Sequence, residues 1–409
     1  MISRLSITNV GPAQSVALNF GSRMSVVTGD NGVGKTFLVD CAWFLLTGGW
    51  PGVKGLPRDA RVSSTIGGVV EDREVDANFE LDDWTHVPSS TSPVVYVRVD
   101  GGVSMFDPLK GQGRTQRTPE GTQTLVETLD LDARQLYDGI RDESGYIVCR
   151  GLIDDLLLWQ LGKHPAFEAL SRVLVVLSSP DDPIKLGPPK RLWARDVREV
   201  PTIVTSTGTV PITVASAGAR RVLGLAYALV WTWFEHRVVA DVRGVTASPS
   251  LVVLFDEVEA HLHPAWQRAL VPALLAAVRE LGSGGDVQLL ATTHSPLVLA
   301  SLEPIFDGTR DRLFHVDVEN GAANLKEVPW VNHGDASNWL TSDVFGLAQA
   351  RSIEAQRAIE AAEAFMAGRT VDLPPDLASR DTIHAELVRV LGSLDPFWPR
   401  WIVTARSVR

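Results

Sequence analysis

Cysteine is scarce in this sequence. Among 409 residues the only cysteines are Cys41 and Cys149, and both lie in apolar surroundings. This scarcity excludes a scaffold held together by disulfides and predicts reduced, buried thiols in a reducing compartment. The first ten residues alternate like a strand and lack the apolar run of a signal peptide. We therefore expect a cytoplasmic protein.

Long apolar runs, repeats and excess positive charge are also missing. The longest apolar helix-like run, residues 222–234, is too short to span a bilayer, so no membrane partner is expected. We find no internal repeat and no heptad series long enough for a coiled coil. The net charge of -11 argues against general nucleic-acid binding, although a local basic patch stays open because arginine outnumbers lysine.

The apolar content is high enough for a large core. Hydrophobic residues make up 45% of the chain, which fits one large domain with insertions or an appendage. After residue 200, helical patterns at 219–235 and 265–281 alternate with strand patterns at 251–255 and 287–291. This alternation indicates a parallel α/β sheet, with a final strand at 313–318.

A glycine-rich loop follows an early apolar strand and precedes an apolar helix. It matches the phosphate-loop spacing G-x-x-x-x-G-K-[ST] and comprises Gly29, Asp30, Asn31, Gly32, Val33, Gly34, Lys35 and Thr36. Its backbone N–H groups and the following helix dipole can bind phosphate. We expect Lys35 to neutralise the β- and γ-phosphates and Thr36 to bind Mg²⁺. The strand–helix context argues against an incidental glycine-rich turn.

Two acids follow the apolar strand pattern "LVVLF". Asp256 and Glu257 come directly after it, at the strand end where chemistry gathers in open α/β sheets. With a phosphate loop upstream, Asp256 is expected to hold the Mg²⁺ of the nucleotide through water. Glu257 is expected to act as the base or to orient the attacking water.

Three histidines allow alternatives. His261 and His263, with Glu259 nearby, are compatible with a transition-metal site, but they lack a convincing third ligand. Because Pro264 suits a helix start, we favour loop and interface roles for this pair. His294 follows the strand pattern "QLLATT". There it can sense a γ-phosphate or simply form hydrogen bonds with the backbone, and the sequence of this segment alone does not decide between the two roles.

A serine and a glycine precede the longest apolar helix pattern. Ser216 is a plausible N-cap and Gly218 leaves room beside it. A helix N-terminus with a serine hydroxyl is an anion site. In isolation, an ordinary capped core helix is the better interpretation.

Taken in order, these motifs resemble the ATP-binding-cassette superfamily, in its branch with the SMC, RecF and OLD-like ATPases. "FDEVEAHLHP" and "TTHSP" are similar to OLD-like bacterial ATPases, many of which work in anti-phage defence, such as the Septu PtuA ATPases. The resemblance implies an α/β P-loop NTPase fold of the ABC-ATPase type over residues 1–330. Residues 51–200 would form a mixed β/helical insertion, and residues 331–409 a helical C-terminal tail.

The resemblance also implies roles for residues. Gly29–Thr36 become the Walker A loop for ATP, Asp256 and Glu257 the Walker B pair with Mg²⁺, and His294 the switch histidine. Ser216 and Gly218 become signature residues that touch the nucleotide of a second subunit, which implies an ATP-sandwiched homodimer.

Two parts of the motif set depart from the family pattern or are hard to place. Ala217 and Ala219 depart from the usual Ser-Gly-Gly-Gln signature, so activation of the partner's nucleotide is either weaker here or supplied partly by Arg220. Gln160 is the candidate for the glutamine of the Q-loop.

The expected function is an ATP-hydrolysing switch that controls a partner effector, a nuclease, in bacterial defence. The alternative is a RecF- or SMC-like repair ATPase that clamps DNA, against which the acidic charge and the missing coiled coil weigh. An ABC transporter subunit is disfavoured.

No intrinsic nuclease is expected. The segment after "THSP" is short for the Toprim domain of OLD nucleases and lacks a strand-borne Glu followed by Asp-x-Asp. Near the end of the chain, Phe397, Trp398 and Trp401 either mark a partner surface or, as we favour, fold back onto a core.

Overall fold

The computed structural model describes residues 1–10, 13–51, 64–70, 73–79, 89–110, 115–118, 121–124, 128–179, 181–195, 197–281, 286–319 and 322–404. The chain forms two compact units, Met1–Gly334 and Asp335–Arg409. Across these ranges, no helix has both the length and the apolar character needed to cross a bilayer.

The strands are, in chain order, β1 (Ile2–Val10), β2 (Ala13–Asn19), β3 (Met24–Gly29), β4 (Ser64–Val70), β5 (Arg73–Phe79), β6 (Val94–Val97), β7 (Val103–Phe106), β8 (Thr115–Thr118), β9 (Gly121–Thr124), β10 (Thr128–Leu131), β11 (Ile140–Arg141), β12 (Ile147–Cys149), β13 (Lys185–Arg191), β14 (Glu199–Thr205), β15 (Gly208–Pro211), β16 (Leu251–Phe255), β17 (Val287–Thr292), β18 (Asp311–Glu319) and β19 (Ala322–Val328).

The α-helices are α1 (Lys35–Thr47), α2 (Gln135–Asp138), α3 (Gly151–Leu161), α4 (Pro165–Leu177), α5 (Ala217–Arg243), α6 (Pro264–Gln267), α7 (Leu270–Leu281), α8 (Pro296–Leu302), α9 (Ala336–Leu340), α10 (Ile353–Met366), α11 (Arg380–Val390) and α12 (Phe397–Thr404). Short 3₁₀ turns occur at Ile212–Val214, Thr370–Asp372 and Pro375–Leu377.

The largest sheet among the described residues has eight strands, in the order β10-β7-β6-β16-β17-β3-β18-β19. Its central pairs, from β6 to β18, are parallel, which confirms the predicted parallel sheet. The edge pairs are antiparallel. Strands β3, β16 and β17 are buried along their whole length, as expected for parallel strands covered on both faces. Their carboxyl ends therefore meet at one edge of the sheet.

Helix α1 lies between this sheet and a second, antiparallel sheet with strand order β2-β1-β4-β5. It is apolar on nearly every side, because both of its faces are buried in one core with Ile7, Trp43 and Leu254. Strand β4 approaches closely at Gly68, where a Cβ atom would lie 2.3 Å from Leu45 Cδ2. The helix that follows the glycine-rich loop is thus held from two sides.

Both cysteines are buried free thiols, Cys41 in α1 and Cys149 at the end of β12. Burial raises the pKa of each thiol, and for Cys41 it does so strongly. The predicted buried thiols are therefore confirmed.

The second unit, Asp335–Arg409, has its own apolar cluster. Helices α10, α11 and α12 contribute Ile359, Ile383, Leu387, Phe397 and Trp401. The C-terminal aromatic residues thus fold onto a core, as favoured from the sequence, and that core belongs to this unit, with Trp398 partly buried against it.

Several predicted elements are corrected. The helix predicted at 265–281 is interrupted between α6 and α7, because Pro272 has no N–H to donate to the carbonyl of Arg268. The sequence pattern predicts helices over residues 120–178; this is right for α3 and α4 but wrong for 128–149, which contain β10, β11 and β12. Strand β18 is not the last strand, since β19 pairs with it at the sheet edge. Helix α5 extends to Arg243 and ends at Gly244, which has a left-handed φ of 66°.

Candidate nucleotide-binding site

The glycine-rich loop turns sharply between β3 and α1. Gly29 has a φ of 144°, and a Cβ atom there would lie 2.1 Å from the carbonyl oxygen of Val316, so only glycine fits. Gly34 has a φ of 98° and directly precedes α1. At Gly32, with a φ of 76°, an added Cβ atom would meet nothing within 4 Å. The loop is therefore curled and open on the side of Gly32.

Lys35 lies inside this curl. Its Nζ donates to the carbonyl oxygens of Gly29 (3.0 Å) and Asp30 (2.7 Å). Burial lowers the pKa of the Lys35 ammonium, and the neighbouring carboxylates, Glu257 first among them, act in the opposite direction. The loop thus holds a buried cation where a phosphate chain would need one.

Asp256 connects the loop to the neighbouring strands. This side chain is fully buried, and its Oδ2 accepts a hydrogen bond from Thr36 Oγ1 at 2.8 Å. Its Oδ1 accepts from Thr292 Oγ1 at 2.6 Å, and the same hydroxyl accepts from the Glu257 backbone N–H at 2.7 Å. In the sequence, Thr292 is recognisable only as the end of a strand pattern, although it belongs to the site. Its hydroxyl fixes both predicted acids.

Glu257 and His294 face each other at the same edge. The His294 Nε2 lies 3.8 Å from Glu257 Oε1, and the His294 Nδ1 lies 3.5 Å from Lys35 Nζ. Glu257 has a left-handed φ of 46°, a costly conformation for a residue other than glycine. Strain of this kind clusters at functional sites. The structure therefore brings together the predicted base, the switch histidine and the loop lysine.

Two of the residues considered for a transition metal, Glu259 and His263, make other contacts. Glu259 accepts from Thr293 Oγ1 (2.7 Å) and from the His294 backbone N–H (2.5 Å), which ties the loop after β16 to the end of β17. His263 caps α6, its Nδ1 accepting from Ala265 N–H at 3.3 Å. Among the described residues, no group of three or more His, Cys, Asp or Glu side chains is arranged to hold a metal ion.

The predicted signature residues start α5. Ser216 is its N-cap, as predicted, and its Oγ accepts from Ala219 N–H at 3.2 Å. At Gly218 a Cβ atom would lie 3.2 Å from the His261 carbonyl oxygen and 3.4 Å from the Trp266 ring. The glycine therefore lets the helix start pack against the loop that follows β16 in the same chain.

Gln160 lies on α3. Its Nε2 donates to the carbonyl oxygen of Gly187 in β13 at 3.4 Å. This contact joins Gln160 to the small sheet of β13, β14 and β15. It gives no support to the predicted Q-loop role.

A second acid lies behind Asp256. Asp40, on α1, accepts from the Tyr96 hydroxyl at 2.9 Å. Burial raises the Asp40 pKa to about 7; the hydrogen bond from Tyr96 lowers it in part, and the negative charge of Asp256 raises it further. Asp40 is therefore half protonated near neutral pH, in contrast to an exposed aspartate.

Two protein families match the chain. Residues 4–143 match the family described as "AAA domain", and residues 128–300 match "AAA domain, putative AbiEii toxin, Type IV TA system".

Curated relatives give the same indication. The Septu protein PtuA of Bacillus mycoides (strain KBAB4) is 35% identical over 24% of this chain and 12% of its own length. The retron Ec83 probable ATPase of Escherichia coli is 31% identical over 24% of this chain and 15% of its own length. The Septu protein PtuA of Bacillus thuringiensis is 23% identical over 86% of both chains. A solved SMC head domain from Thermotoga maritima covers 80% of this chain and 99% of its own, with 12% identity and a TM-score of 0.36.

These matches confirm the predicted resemblance. The chain is similar to AAA domains over the matched residues, and to Septu PtuA proteins and a probable retron ATPase. Its fold is the predicted α/β P-loop NTPase fold, with the phosphate loop after β3 and the paired acids after β16 of one parallel sheet.

Proposed function

We propose that this chain binds ATP with Mg²⁺ and hydrolyses it. The observation that carries the proposal is the 2.8 Å hydrogen bond from Thr36 to Asp256, which joins the glycine-rich loop to an acid 220 residues away. The same edge of the sheet holds Lys35, Glu257 and His294. A phosphate-binding loop with a paired acid is the arrangement that P-loop NTPases use for phosphoryl transfer.

The donor atoms at this edge suit Mg²⁺. Thr36 supplies a hydroxyl oxygen and Asp256 a carboxylate, and hard oxygen ligands of this kind are those that Mg²⁺ prefers. Mg²⁺ held there would neutralise negative charge on the phosphates. Lys35 adds a second positive charge from inside the loop.

In this proposal, Glu257 accepts a proton from water. About a third of its side chain is exposed, 35%, so water reaches the carboxylate. His294, beside it, would contact the γ-phosphate and the carboxylate together.

Two variants test the binding and the hydrolysis separately. Lys35→Ala should abolish binding of a fluorescent ATP analogue, because the phosphate charge is left uncompensated. Glu257→Gln should keep that binding and slow turnover by about a hundredfold or more, since the carboxylate acts on water and does not hold the nucleotide. Near-normal affinity in Lys35→Ala, or wild-type turnover in Glu257→Gln, would contradict the assignment.

We also propose that ATP joins two copies of the chain. Ser216 presents its hydroxyl and the N-terminus of α5, which is 27 residues long, and such an end favours a phosphate. Both Ser216 and its neighbour Ala217 are exposed. In this arrangement, Ser216 and Gly218 of one chain would meet the nucleotide of its partner.

The biological role that we propose is control of a partner effector, a nuclease, in anti-phage defence. The similarity to Septu and retron ATPases supports this role. The purified chain alone should leave plasmid DNA uncut with ATP and Mg²⁺. Cells that express the chain with its neighbouring gene should resist phage, and Lys35→Ala should remove that resistance. Equal resistance with Lys35→Ala would separate defence from the ATP site.

A further inference from the structure

A buried arginine lies one turn inside α5. Arg221 follows Ser216 by five residues and is 9% exposed. Its Nη2 donates to the backbone carbonyl oxygens of Asp256 (3.1 Å) and Glu257 (3.0 Å). Its guanidinium carbon lies 5.3 Å from the centre of the Phe255 ring. One side chain of α5 therefore holds the backbone of both predicted acids.

The second terminal nitrogen of the same guanidinium, Nη1, binds the end of the neighbouring strand. Arg221 Nη1 donates to the carbonyl oxygens of Arg98 (3.3 Å) and Val99 (3.4 Å), which directly follow β6. A planar, forked donor can bridge two pairs of carbonyls in this way, whereas a lysine ammonium is a single point. Burial lowers the pKa of Arg221, and the nearby carboxylates of Asp256, Glu259 and Glu257 act in the opposite direction. These bonds and charges offset the cost of burying the cation.

Glu257 is held from two sides by these contacts. Its carbonyl oxygen is bound by Arg221 from α5, and its N–H is bound by the Thr292 hydroxyl from β17. Between the two bonds, the residue has its left-handed φ of 46°. A conformation of this cost persists only where the surroundings impose it. Arg221 is one of the groups that impose it, together with the Thr292 hydroxyl and the Ala260 N–H, which donates to the same carbonyl oxygen at 2.9 Å.

We propose that Arg221 is a positioning residue for hydrolysis, and that it links the start of α5 to the Glu257 carboxylate within one chain. The inference rests on the proposed ATPase function. Ser216 and Arg221 lie on the same helix, so a displacement of the helix start by a nucleotide shifts the group that holds the Glu257 backbone. The α5 helix thereby couples the proposed subunit contact to the water-orienting acid.

The test compares Arg221→Met with Arg237→Met in the full chain. Arg237 lies on the same helix, is exposed, and has its guanidinium 4.9 Å from the centre of the Trp233 ring, so it controls for loss of an α5 arginine. In Arg221→Met, kcat should fall about tenfold or more, while KM and the affinity for a fluorescent ATP analogue stay within about twofold. Arg237→Met should match the wild type. Loss of affinity with an unchanged kcat would overturn the inference.

A double variant separates a positioning role of Arg221 from a general structural effect. Because Arg221 acts through the Glu257 carboxylate, adding Arg221→Met to Glu257→Gln should leave the residual hydrolysis unchanged within about twofold. A further tenfold loss in the double variant would overturn the inference. Should Arg221→Met fail to fold, Arg221→Lys serves in both measurements, with the same split between kcat and KM.

The two proposals fail in different ways. A wild-type chain without ATPase activity would overturn the proposed function and this inference with it. An active wild-type chain whose rate is kept in Arg221→Met would overturn the inference alone.

Discussion

Replacing Thr292 by valine removes one hydroxyl that serves both predicted acids. Valine has nearly the same shape and suits a buried strand, so the change tests the hydrogen bonds and leaves packing almost intact. In Thr292→Val, Asp256 Oδ1 loses its donor and the Glu257 N–H loses its acceptor, which are now at 2.6 and 2.7 Å. Both bonds lie in a region where Thr292 and Asp256 are fully buried.

The expected magnitude follows from these two bonds. A hydrogen bond to a charged group contributes about 1.5–3 kcal/mol, and a buried amide left without a partner costs about 1–3 kcal/mol. Partial relaxation reduces the sum, so we expect the free energy of unfolding to fall by about 3 kcal/mol. The less firmly held Asp256 should also raise the Mg²⁺ concentration needed for half-maximal ATPase activity several-fold.

Thr28→Val is the matched control. Thr28 is also fully buried and lies on β3, directly before Gly29, the first residue of the glycine-rich loop. Its hydroxyl has no hydrogen-bond partner among the described residues. The same substitution there removes no bond, and it should leave stability unchanged or raise it, because a buried hydroxyl without a partner is itself costly.

Urea unfolding followed by tryptophan fluorescence measures both variants. The midpoint should fall clearly in Thr292→Val and stay or rise in Thr28→Val, with similar slopes. Equal midpoints in the two variants would refute the view that the Thr292 hydroxyl holds the paired acids.

Three further predictions concern charge, metal and assembly. Burial raises the pKa of Asp40 from its ordinary value of 3.8 to about 7 in the folded chain, so the unfolded chain loses its proton first and stability falls as pH rises from about 4 to 7. Asp40→Asn should remove up to about 4 kcal/mol of this fall in the free energy of unfolding. The variant should have a higher urea midpoint than the wild type at pH 8 and nearly the same midpoint at pH 4, and equal pH profiles would contradict the prediction. Chelating transition metals with Mg²⁺ in excess should leave ATPase activity intact, whereas stoichiometric zinc that is lost in His261→Ala would restore the metal-site alternative. Ser216→Glu should block ATP-dependent association. Mixing the Ser216→Glu chain with the Lys35→Ala chain should restore part of the ATPase activity, because the intact glycine-rich loop of one chain meets the intact Ser216 of the other. Normal hydrolysis by a verified Ser216→Glu monomer would rule out the sandwich dimer.

The sequence predicts the parts of the site that depend on short local patterns. The strand at Leu251–Phe255 has the predicted limits, because a continuous run of five apolar residues is typical of a strand that is buried on both faces of a parallel sheet. The glycine-rich loop is equally local, since Gly29 and Gly34 need backbone angles that other residues avoid.

The contacts between distant residues could not be predicted in the same way. Thr292 binds Asp256 across 36 positions, and Arg221 binds its carbonyl across 35. The register that pairs Phe255 with Ala291 places Thr292 beside Asp256, but this register becomes known only with the strand order. A threonine at a strand end and an arginine in an apolar helix have no local pattern that separates them from structural residues.

Short strands were the main source of error in the fold. Strands β10, β11 and β12 have two to four residues each, too few to show an alternation. Gln160 is a similar case. The apolar helix pattern beside it predicts a helix, but it does not predict which sheet the polar side chain will contact.

The buried thiols described above decide how the assembly can be measured. Cys41 and Cys149 are both shielded, and burial keeps each in its unreactive protonated form. A single cysteine introduced on an exposed position, such as Arg237 on α5, would therefore react with a maleimide dye ahead of the native pair. Donor- and acceptor-labelled chains could then report association by energy transfer, with the native cysteines left in place.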